Sequence, residues 1–231
     1  MDFSLLCQLN AERAARRAAI LVTEMADGRQ RLVQKDTPYS DDPLAEEFSK
    51  RFRSGKSGIV ETDLGEAFLT VSVPAPRLVI IGAVHISQAL VPMAEIAGFD
   101  VTVIDPRTAF ATEDRFPGSS LIADWPEDVL KDRPLDPYTA VAAVTHDPKI
   151  DDFPLREALK TGCFYVGALG SRKTHGKRLD RFREAGISKD LLNRIEAPIG
   201  LDIGSASPEE IAVAVLGSII KTLRKPLDKA A

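Results

Sequence analysis

Hydrophobic positions in the first third of the chain fall into short runs separated by turn residues. Asp27-Gly28 lies between two of these runs, and two more runs precede Pro74, so the pattern predicts two β-hairpins. Between the hairpins, apolar side chains recur every four residues after Pro43, which is typical of a helix that begins at that proline. Residues 1–75 are therefore predicted to form a small α+β domain.

After Pro76 the pattern changes to apolar strands that alternate with amphipathic helices. Four strands are predicted, at Leu78–Ile81, Val101–Ile104, Ala140–Val144 and Cys163–Val166. Alternation of this kind is typical of a parallel sheet wrapped by helices. The predicted fold class is therefore α/β, with a Rossmann-like sheet that has helices on both faces over residues 76–231.

The first strand of this second domain ends in Gly82-Ala-Val-His85, a turn that resembles the opening of a dinucleotide-binding unit. Asp105 follows the second strand, 23 residues after Gly82, where an acid accepts a hydrogen bond from a ribose hydroxyl. Val84 stands in place of the second glycine of that fingerprint, and its branched side chain occupies the path of a pyrophosphate. NAD(P) is therefore the less favoured cofactor, while His85 either faces a ligand or only caps its helix.

A second candidate segment, Thr145-His146-Asp147-Pro148, follows the third strand. Polar residues at the carboxyl end of a parallel strand line the ligand site in folds of this kind, so His146 and Asp147 are candidate ligand contacts. The alternative is a turn in which Asp147 caps the next helix. No serine stands in a Gly-x-Ser-x-Gly turn, and no catalytic residue is assigned.

The fourth strand leads into the strongest candidate, a glycine-rich turn with Gly167, Gly170 and Ser171 followed by a basic helix start with Arg172 and Lys173. Free amides at a helix N-terminus attract anions, whereas the helix dipole disfavours cationic side chains there by roughly 0.3–1 kcal/mol each. A bound anion offsets that conflict. The segment therefore predicts a phosphate or another anion, against the alternative of a solvated basic helix.

A glycine-punctuated loop, residues 197–204, leads to the last helix, for which Ser207, Pro208 and Glu210 predict a capped N-terminus. The glycines imply tight turns close to the other candidate segments. Asp202 either binds ligand there or braces the turn, and the sequence leaves both interpretations open.

Composition and charge narrow the possible functions. Acidic residues outnumber basic ones by 34 to 30, so the net charge is −4 and a nucleic-acid partner is not expected. No apolar run approaches the roughly 20 residues that cross a bilayer, and the N-terminus lacks the features of a secretory signal, so we expect no membrane partner and a cytoplasmic location. Two cysteines and three histidines without ligand spacing predict no protein-built metal site.

Five segments, taken together and in this order, resemble the XdhC/CoxI family over residues 77–224. They are Gly82-Ala-Val-His85, Ile104-Asp-Pro-Arg107, Thr145-His-Asp147, Tyr165-Val-Gly-Ala-Leu-Gly-Ser-Arg172 and Pro198-Ile-Gly-Leu-Asp-Ile-Gly204. The chain departs from the family where the usual Gly-Ala-Gly-His becomes Gly-Ala-Val-His. Its N-terminal domain also lacks the Gly-Ser-x-Pro-Arg and Gly-Gly-Cys-x-Glu stretches of longer members.

The resemblance implies a cofactor-binding chaperone rather than an enzyme. Such a protein binds the molybdenum cofactor (molybdopterin) transiently, assists its sulfuration by a cysteine desulfurase, and inserts it into an apo molybdenum hydroxylase of the xanthine dehydrogenase type. The expected cofactor-binding residues are Gly82, His85, Asp105, Arg107, His146, Asp147, Gly167, Gly170, Ser171, Arg172, Lys173 and Asp202. The alternative function is an NAD(P)-binding oxidoreductase that uses Asp105, and a homodimer is left open.

Overall fold

The structure is a computed structural model that describes residues 3–63 and 65–225 of the 231-residue chain. Its internal contacts divide the chain into two compact units, one that ends at Pro74 and one that begins at Ala75. Within the described residues, no helix combines the length and apolar character that a bilayer-spanning segment requires.

The first unit is built on a four-stranded antiparallel sheet. Its elements are α1 Phe3–Ala14, β1 Ala19–Glu24, β2 Gln30–Gln34, α2 Ala45–Ser54, β3 Gly58–Thr62 and β4 Gly65–Ser72. The strands are ordered β2-β1-β4-β3 in the sheet. Both predicted hairpins are confirmed, because β1 pairs antiparallel with β2 and β3 pairs antiparallel with β4.

Helix α2 begins at Ala45, two residues after the predicted start. The Asp42 carboxylate accepts the backbone N–H of Leu44 at 2.9 Å and so holds the chain in a turn ahead of the helix. The predicted apolar face is present, since Phe48 and Phe52 are both buried. The polar turn therefore moves the helix start without changing the face that packs.

The second unit is a parallel sheet with helices on both faces, which confirms the predicted Rossmann-like α/β class. The strand order is β10-β9-β8-β5-β6-β7. In chain order the elements are β5 Arg77–Ile81, α3 His85–Ile96, β6 Asp100–Ile104, a 3-10 turn Glu113–Arg115, β7 Ser120–Ile122, α4 Pro126–Asp132, β8 Thr139–Ala143, α5 Pro148–Thr161, β9 Tyr165–Ala168, α6 Arg172–Glu184, α7 Lys189–Leu192, β10 Ile195–Glu196 and α8 Pro208–Arg224.

Alternate residues of the central strands face two separate apolar cores. Leu78 and Ile80 of β5 belong to the core that includes α3 and α8, whereas Val79 and Ile81 belong to the core that includes α4, α5 and α6. A strand that is buried on both faces is apolar at successive positions rather than at alternate ones. This explains why the sequence predicts β5, β6 and β8 to within one residue of their observed ends.

Strand β9 begins two residues later than predicted and extends to Ala168. The reason lies at the end of α5, where Gly162 is left-handed with a φ of 78° and the N–H of Cys163 returns to the carbonyl of Ala158. A residue that closes a helix in this way does not pair in the sheet. The turn after β9 therefore follows Ala168 rather than Val166.

Two short edge strands, β7 and β10, are absent from the prediction. They contain three and two residues, which is too short for a two-residue alternation to be recognised in the sequence. Each is defined by its neighbour instead, since β7 pairs in parallel with β6 and β10 pairs in parallel with β9. The tertiary structure, and not the local pattern, makes these segments strands.

Helix α8 has the N-terminal cap that the sequence predicts. The Ser207 hydroxyl accepts the N–H of Glu210 at 3.2 Å, and the Glu210 carboxylate accepts the N–H of Ser207 at 3.1 Å. Pro208 takes the first helical position. The helix ends at Arg224, and residues 226–231 of the predicted second domain lie outside the described residues.

Gly167 lies inside β9 rather than in the turn that follows it. A Cβ at this position would lie 2.7 Å from the side chain of Ile199 and 2.7 Å from the ring of Tyr165. The absence of a side chain is therefore needed for packing within the sheet. This corrects the predicted position of Gly167 in the turn after the strand.

We expect Gly167→Ala to lower the free energy of unfolding by about 1–3 kcal/mol, which is the usual effect of overpacking a core. Gly176→Ala is the matched control, because a Cβ at Gly176 in α6 meets nothing within 4 Å and alanine favours a helix. Denaturant unfolding measures both variants. A Gly167→Ala variant as stable as the wild type would contradict this packing.

Candidate functional site

Strands β5, β8 and β9 are parallel neighbours, so the turns that follow them lie at one edge of the sheet. A Cβ at Gly82, after β5, would lie 2.7 Å from Cγ2 of Thr145, after β8. A Cβ at Gly170, after β9, would lie 3.8 Å from Nδ1 of His146. The structure therefore brings three of the predicted segments together, and we call the region of residues 82–85, 145–147 and 169–173 the carboxyl-edge site.

Asp105 follows β6 and is fully buried. Its carboxylate accepts the backbone N–H groups of Ala83 at 2.7 Å and Arg107 at 2.9 Å. The Nε and Nη2 atoms of Arg107 donate to the same carboxylate at 2.9 and 2.7 Å. Burial acts to raise the pKa of Asp105, but these hydrogen bonds outweigh it and lower that pKa. Asp105 is thus a buried anion that joins the turn after β5 to the turn after β6, and its carboxylate is not exposed to solvent.

Arg107 completes this pair and remains partly accessible, with 32% of its side chain exposed. The hydrogen bond to Asp105 raises the pKa of Arg107, and the charges of Asp147 and Asp151 contribute to the increase. The guanidinium also lies over the ring of Phe110, 4.7 Å from its centroid. The loop after β6 is therefore in electrostatic contact with the segment after β8.

His85 is the first residue of α3 and is exposed. Glu209 lies in the first turn of α8, where its own backbone N–H and the Ser207 hydroxyl lower its pKa, and the charge of His85 lowers it further. This interaction places the start of α8 beside the start of α3. Asp202 lies exposed in the loop that leads to α8, so its carboxylate is accessible to a ligand.

His146 is exposed and has a left-handed backbone conformation, with a φ of 65°. Residues with a Cβ seldom adopt this conformation, and such strain occurs preferentially at functional sites. Thr145 maintains it, because its hydroxyl accepts the N–H of Asp147 at 3.0 Å and donates to Asp151 at 2.6 Å. The backbone thereby holds the His146 imidazole close to Gly170.

Asp147 is the N-cap of α5, where its carboxylate accepts the N–H of Lys149 at 3.0 Å. Of the two interpretations that the sequence leaves open, this hydrogen bond is the one expected of a helix cap. Because Pro148 takes the first position of the helix, the cap also fixes the direction in which the chain leaves His146. Asp147 thus shapes the segment that presents the histidine.

Ser171 is the N-cap of α6, and its hydroxyl accepts the N–H of Thr174 at 3.2 Å. Gly170 has a φ of 137°, and a Cβ there would lie 3.3 Å from the side chain of Thr174. Arg172 and Lys173 follow as the first two residues of the helix, and both are exposed. Amides at these positions have no acceptor within the helix, so the segment combines two such amides with two cations. That combination suits an oxyanion.

Two residues that the predicted site omits, Asp151 and Arg178, are 0% and 2% exposed. A signal for them exists in the sequence. Asp151 precedes Leu155 by four residues and Arg178 precedes Phe182 by four, so each charge lies on the buried apolar face of its helix. A charged residue on such a face indicates a specific electrostatic partner.

Burial raises the pKa of Asp151 to about 6, although the hydrogen bond from Thr145 and the charge of Arg178 act to lower it. Burial also lowers the pKa of Arg178, against the opposing charges of Asp151 and Asp152. The two residues therefore influence each other's ionisation inside the fold, between α5 and α6.

The raised pKa of Asp151 sets the sign of a pH effect on stability. The folded chain holds this proton up to about pH 6, whereas the ordinary pKa is 3.8, so the stabilising contribution is complete below 3.8 and is lost as the pH rises through 6. Between about pH 4 and pH 7 we expect the wild type to lose roughly 2–3 kcal/mol of stability relative to Asp151→Asn. Denaturant unfolding across that range measures the difference, and a constant difference would contradict the assignment.

Residues 78–219 match the model of the XdhC Rossmann domain. The "Uncharacterized protein YqeB" of Escherichia coli (strain K12) is 30% identical over 182 residues, which cover 75% of this chain and 33% of that protein. A Bacillus subtilis (strain 168) protein, named as a probable xanthine dehydrogenase subunit, is 33% identical over 153 residues, 66% of this chain and 44% of that protein. The "Molybdenum cofactor insertion chaperone PaoD" of Escherichia coli (strain K12) is 30% identical over 146 residues, 63% of this chain and 40% of that protein.

The chain spans less than half of the length of these three curated relatives. A crystal structure described as a xanthine dehydrogenase from Bacillus halodurans covers 99% of this chain with a TM-score of 0.63 and 23% identity, and 66% of that chain is covered, which shows a shared fold. The domain match extends over well more than half of the chain and confirms the resemblance of the five segments. The chain therefore belongs to the XdhC family.

Proposed function

We propose that the chain binds the molybdenum cofactor at the carboxyl-edge site and delivers it to an apo molybdenum hydroxylase of the xanthine dehydrogenase type. One relative is named a molybdenum cofactor insertion chaperone, and another is named as a probable component of a xanthine dehydrogenase. The observation that carries the proposal is the start of α6, where Gly170, Ser171, Arg172 and Lys173 lie next to His146.

The start of α6 fits the phosphate end of a pterin cofactor. Gly170 leaves the approach to the helix free of a side chain, and the backbone amides of Arg172 and Lys173 add to their cationic groups. From this anion subsite, the pterin ring system would extend toward His146 and His85. Both histidines are exposed at the same edge of the sheet, and the cofactor itself supplies the molybdenum chemistry.

In this proposal Asp105 supports the site and does not touch the cofactor. Its carboxylate is surrounded by N–H groups of Ala83 and Arg107, so it has no exposed oxygen to offer. Arg107 keeps part of its side chain accessible and remains a candidate contact. Gly82 contributes by its lack of a side chain, which lets the turn after β5 lie close to Thr145.

Sulfuration, in the same proposal, takes place on the bound cofactor with sulfur from a cysteine desulfurase. Cys163 is unsuited to carry that sulfur, because burial raises the pKa of its thiol to about 12 and the residue is fully buried. The second described cysteine, Cys7, is exposed on α1 in the first unit. In this proposal the chain holds the cofactor, Cys163 does not carry the sulfur, and the reactive thiol belongs to the desulfurase.

The same geometry argues against an NAD(P)-dependent oxidoreductase. A conventional dinucleotide needs a free amide in the turn after the first strand and an accessible acid after the second. Here the N–H of Ala83 is already bonded to Asp105, and Asp105 is buried. Val84 adds a branched side chain where the fingerprint has its second glycine.

We expect Arg172→Ala to weaken binding of purified molybdenum cofactor by roughly tenfold to a hundredfold, since a charge-assisted hydrogen bond contributes about 1.5–3 kcal/mol, and we expect the double change Arg172→Ala and Lys173→Ala to weaken it further. Fluorescence titration measures the affinity. Lys189→Ala is the matched control, because Lys189 is also an exposed first helical residue behind a serine cap, in α7. Equal affinity in the double variant and the wild type would show that the start of α6 is only a solvated basic helix.

Titration of the wild type with NADH and NADPH tests the alternative function, an NAD(P)-dependent oxidoreductase. We expect no binding at submillimolar concentration, because the Asp105 carboxylate and the Ala83 amide are bonded to each other. Submillimolar binding that persists in Arg172→Ala would contradict this expectation and would favour the oxidoreductase.

A further inference from the structure

Two buried charged residues, Asp151 on α5 and Arg178 on α6, are assigned no contact with the cofactor in the proposed function. Among the residues that the structure describes, Oδ2 of Asp151 and both Nε and Nη1 of Arg178 are buried without a hydrogen-bond partner. Buried charges are retained only where something compensates them, and here the two charges are opposite and influence each other. The segments that each residue contacts indicate what the pair holds in place.

Asp151 controls the segment after β8. Its Oδ1 accepts the hydroxyl hydrogen of Thr145 at 2.6 Å, and the same hydroxyl accepts the N–H of Asp147 at 3.0 Å. These two hydrogen bonds enclose His146 and keep its backbone left-handed. Without the carboxylate, the Thr145 hydroxyl loses the acceptor that orients it.

Arg178 controls the turn after β9. Its Nη2 donates to the carbonyl of Leu169 at 3.2 Å, and Leu169 directly precedes Gly170. The carbonyl is thereby drawn toward the interior, so that the chain reaches the N-cap Ser171 in a defined direction. Arg178 is on the helix whose N-terminus it helps to orient.

We propose that Asp151 and Arg178 are a positioning pair that sets the spacing between His146 and the N-terminus of α6. Each residue holds one segment of the carboxyl-edge site, and the attraction between their charges links the two segments across the α5–α6 interface. The proposal rests on the proposed function for the ligand, a pterin phosphate that must reach both segments at once. Neither residue touches that ligand.

Other charged groups surround the pair. Asp152 of α5 lies 4.0 Å from Nε of Arg178 and is bound at 2.6 and 3.0 Å by Arg181 of α6. His175 of α6 is affected by the charge of Arg178, and Arg107 in the loop after β6 is affected by Asp151. The pair formed by Asp152 and Arg181 connects the same two helices but is partly exposed, with 39% of the Arg181 side chain accessible.

Arg183→Gln is the matched control for Arg178→Gln, because Arg183 is an exposed arginine of the same helix that pairs with Asp180 of α6. Asp151→Asn tests the other end of the pair with the same side-chain shape. Backbone amide spectra of the 15N-labelled full chain report on each segment. We expect Asp151→Asn to shift the amides of residues 169–171 as well as those of 145–147, and Arg178→Gln to shift both segments. Arg183→Gln leaves both segments unchanged. Asp151→Asn alone decides the proposal if Arg178→Gln does not fold.

Affinity for purified molybdenum cofactor is the second measurement. We expect about a tenfold loss in each single variant of the pair, and a loss in the double variant that is smaller than the product of the two, because the residues act together. Arg183→Gln binds as the wild type does. Two results would contradict the proposal that the residues act as a pair. One is amide shifts confined to the mutated residue's own segment, and the other is an affinity loss in the double variant that equals the product of the two single losses. A wild type that binds no cofactor overturns the proposed function instead, while the amide spectra still decide whether the pair links the segments.

Discussion

The parallel pairing of β5, β8 and β9 is the constraint on which the candidate site depends. Parallel strands that are buried on both faces have apolar residues in the interior, so the polar side chains lie in the turns at their ends. Because the strands point in the same direction, those turns share one edge of the sheet. Gly82 and Thr145 then meet at packing distance, and Gly170 comes close to His146.

At that edge, buried charges and accessible charges have separate roles. Asp105 is a buried carboxylate that neighbouring N–H groups keep ionised, and it ties the turn after β5 to the turn after β6. Asp151 and Arg178 lie beneath the turns after β8 and β9. Arg172 and Lys173 are exposed above them. The buried charges therefore make hydrogen bonds to the turns, while the exposed cations remain available for a ligand.

Much of the fold could be predicted from the sequence, because continuous apolar runs such as Leu78–Ile81 have few alternative structures. The start of β9 could not, because the end of α5 uses Cys163 in a helix-closing hydrogen bond. Gly167 shows the same limit. A side chain at this position would overlap Ile199 and Tyr165, and only the tertiary structure brings Ile199 there. Long-range contacts of this kind leave no local signature.

The candidate site, too, could be predicted only in part from the sequence. Spacing placed Asp105 correctly after β6, but its hydrogen bonds to Ala83 and Arg107 depend on how two strands lie side by side. The left-handed backbone of His146 is equally hard to predict from the sequence, because histidine adopts this conformation more often than most residues but still seldom. Membership of the XdhC family then connects this geometry with relatives that include a named molybdenum cofactor insertion chaperone.

We propose that a pterin phosphate binds at the start of α6 beside His146. A titration of the 15N-labelled chain with purified molybdenum cofactor, followed through the backbone amides and the histidine ring signals, tests this binding directly. We expect saturable shifts at the amides of residues 170–173 together with the His146 ring. Shifts that are confined to residues 82–84, or that occur only in the first unit, would contradict it.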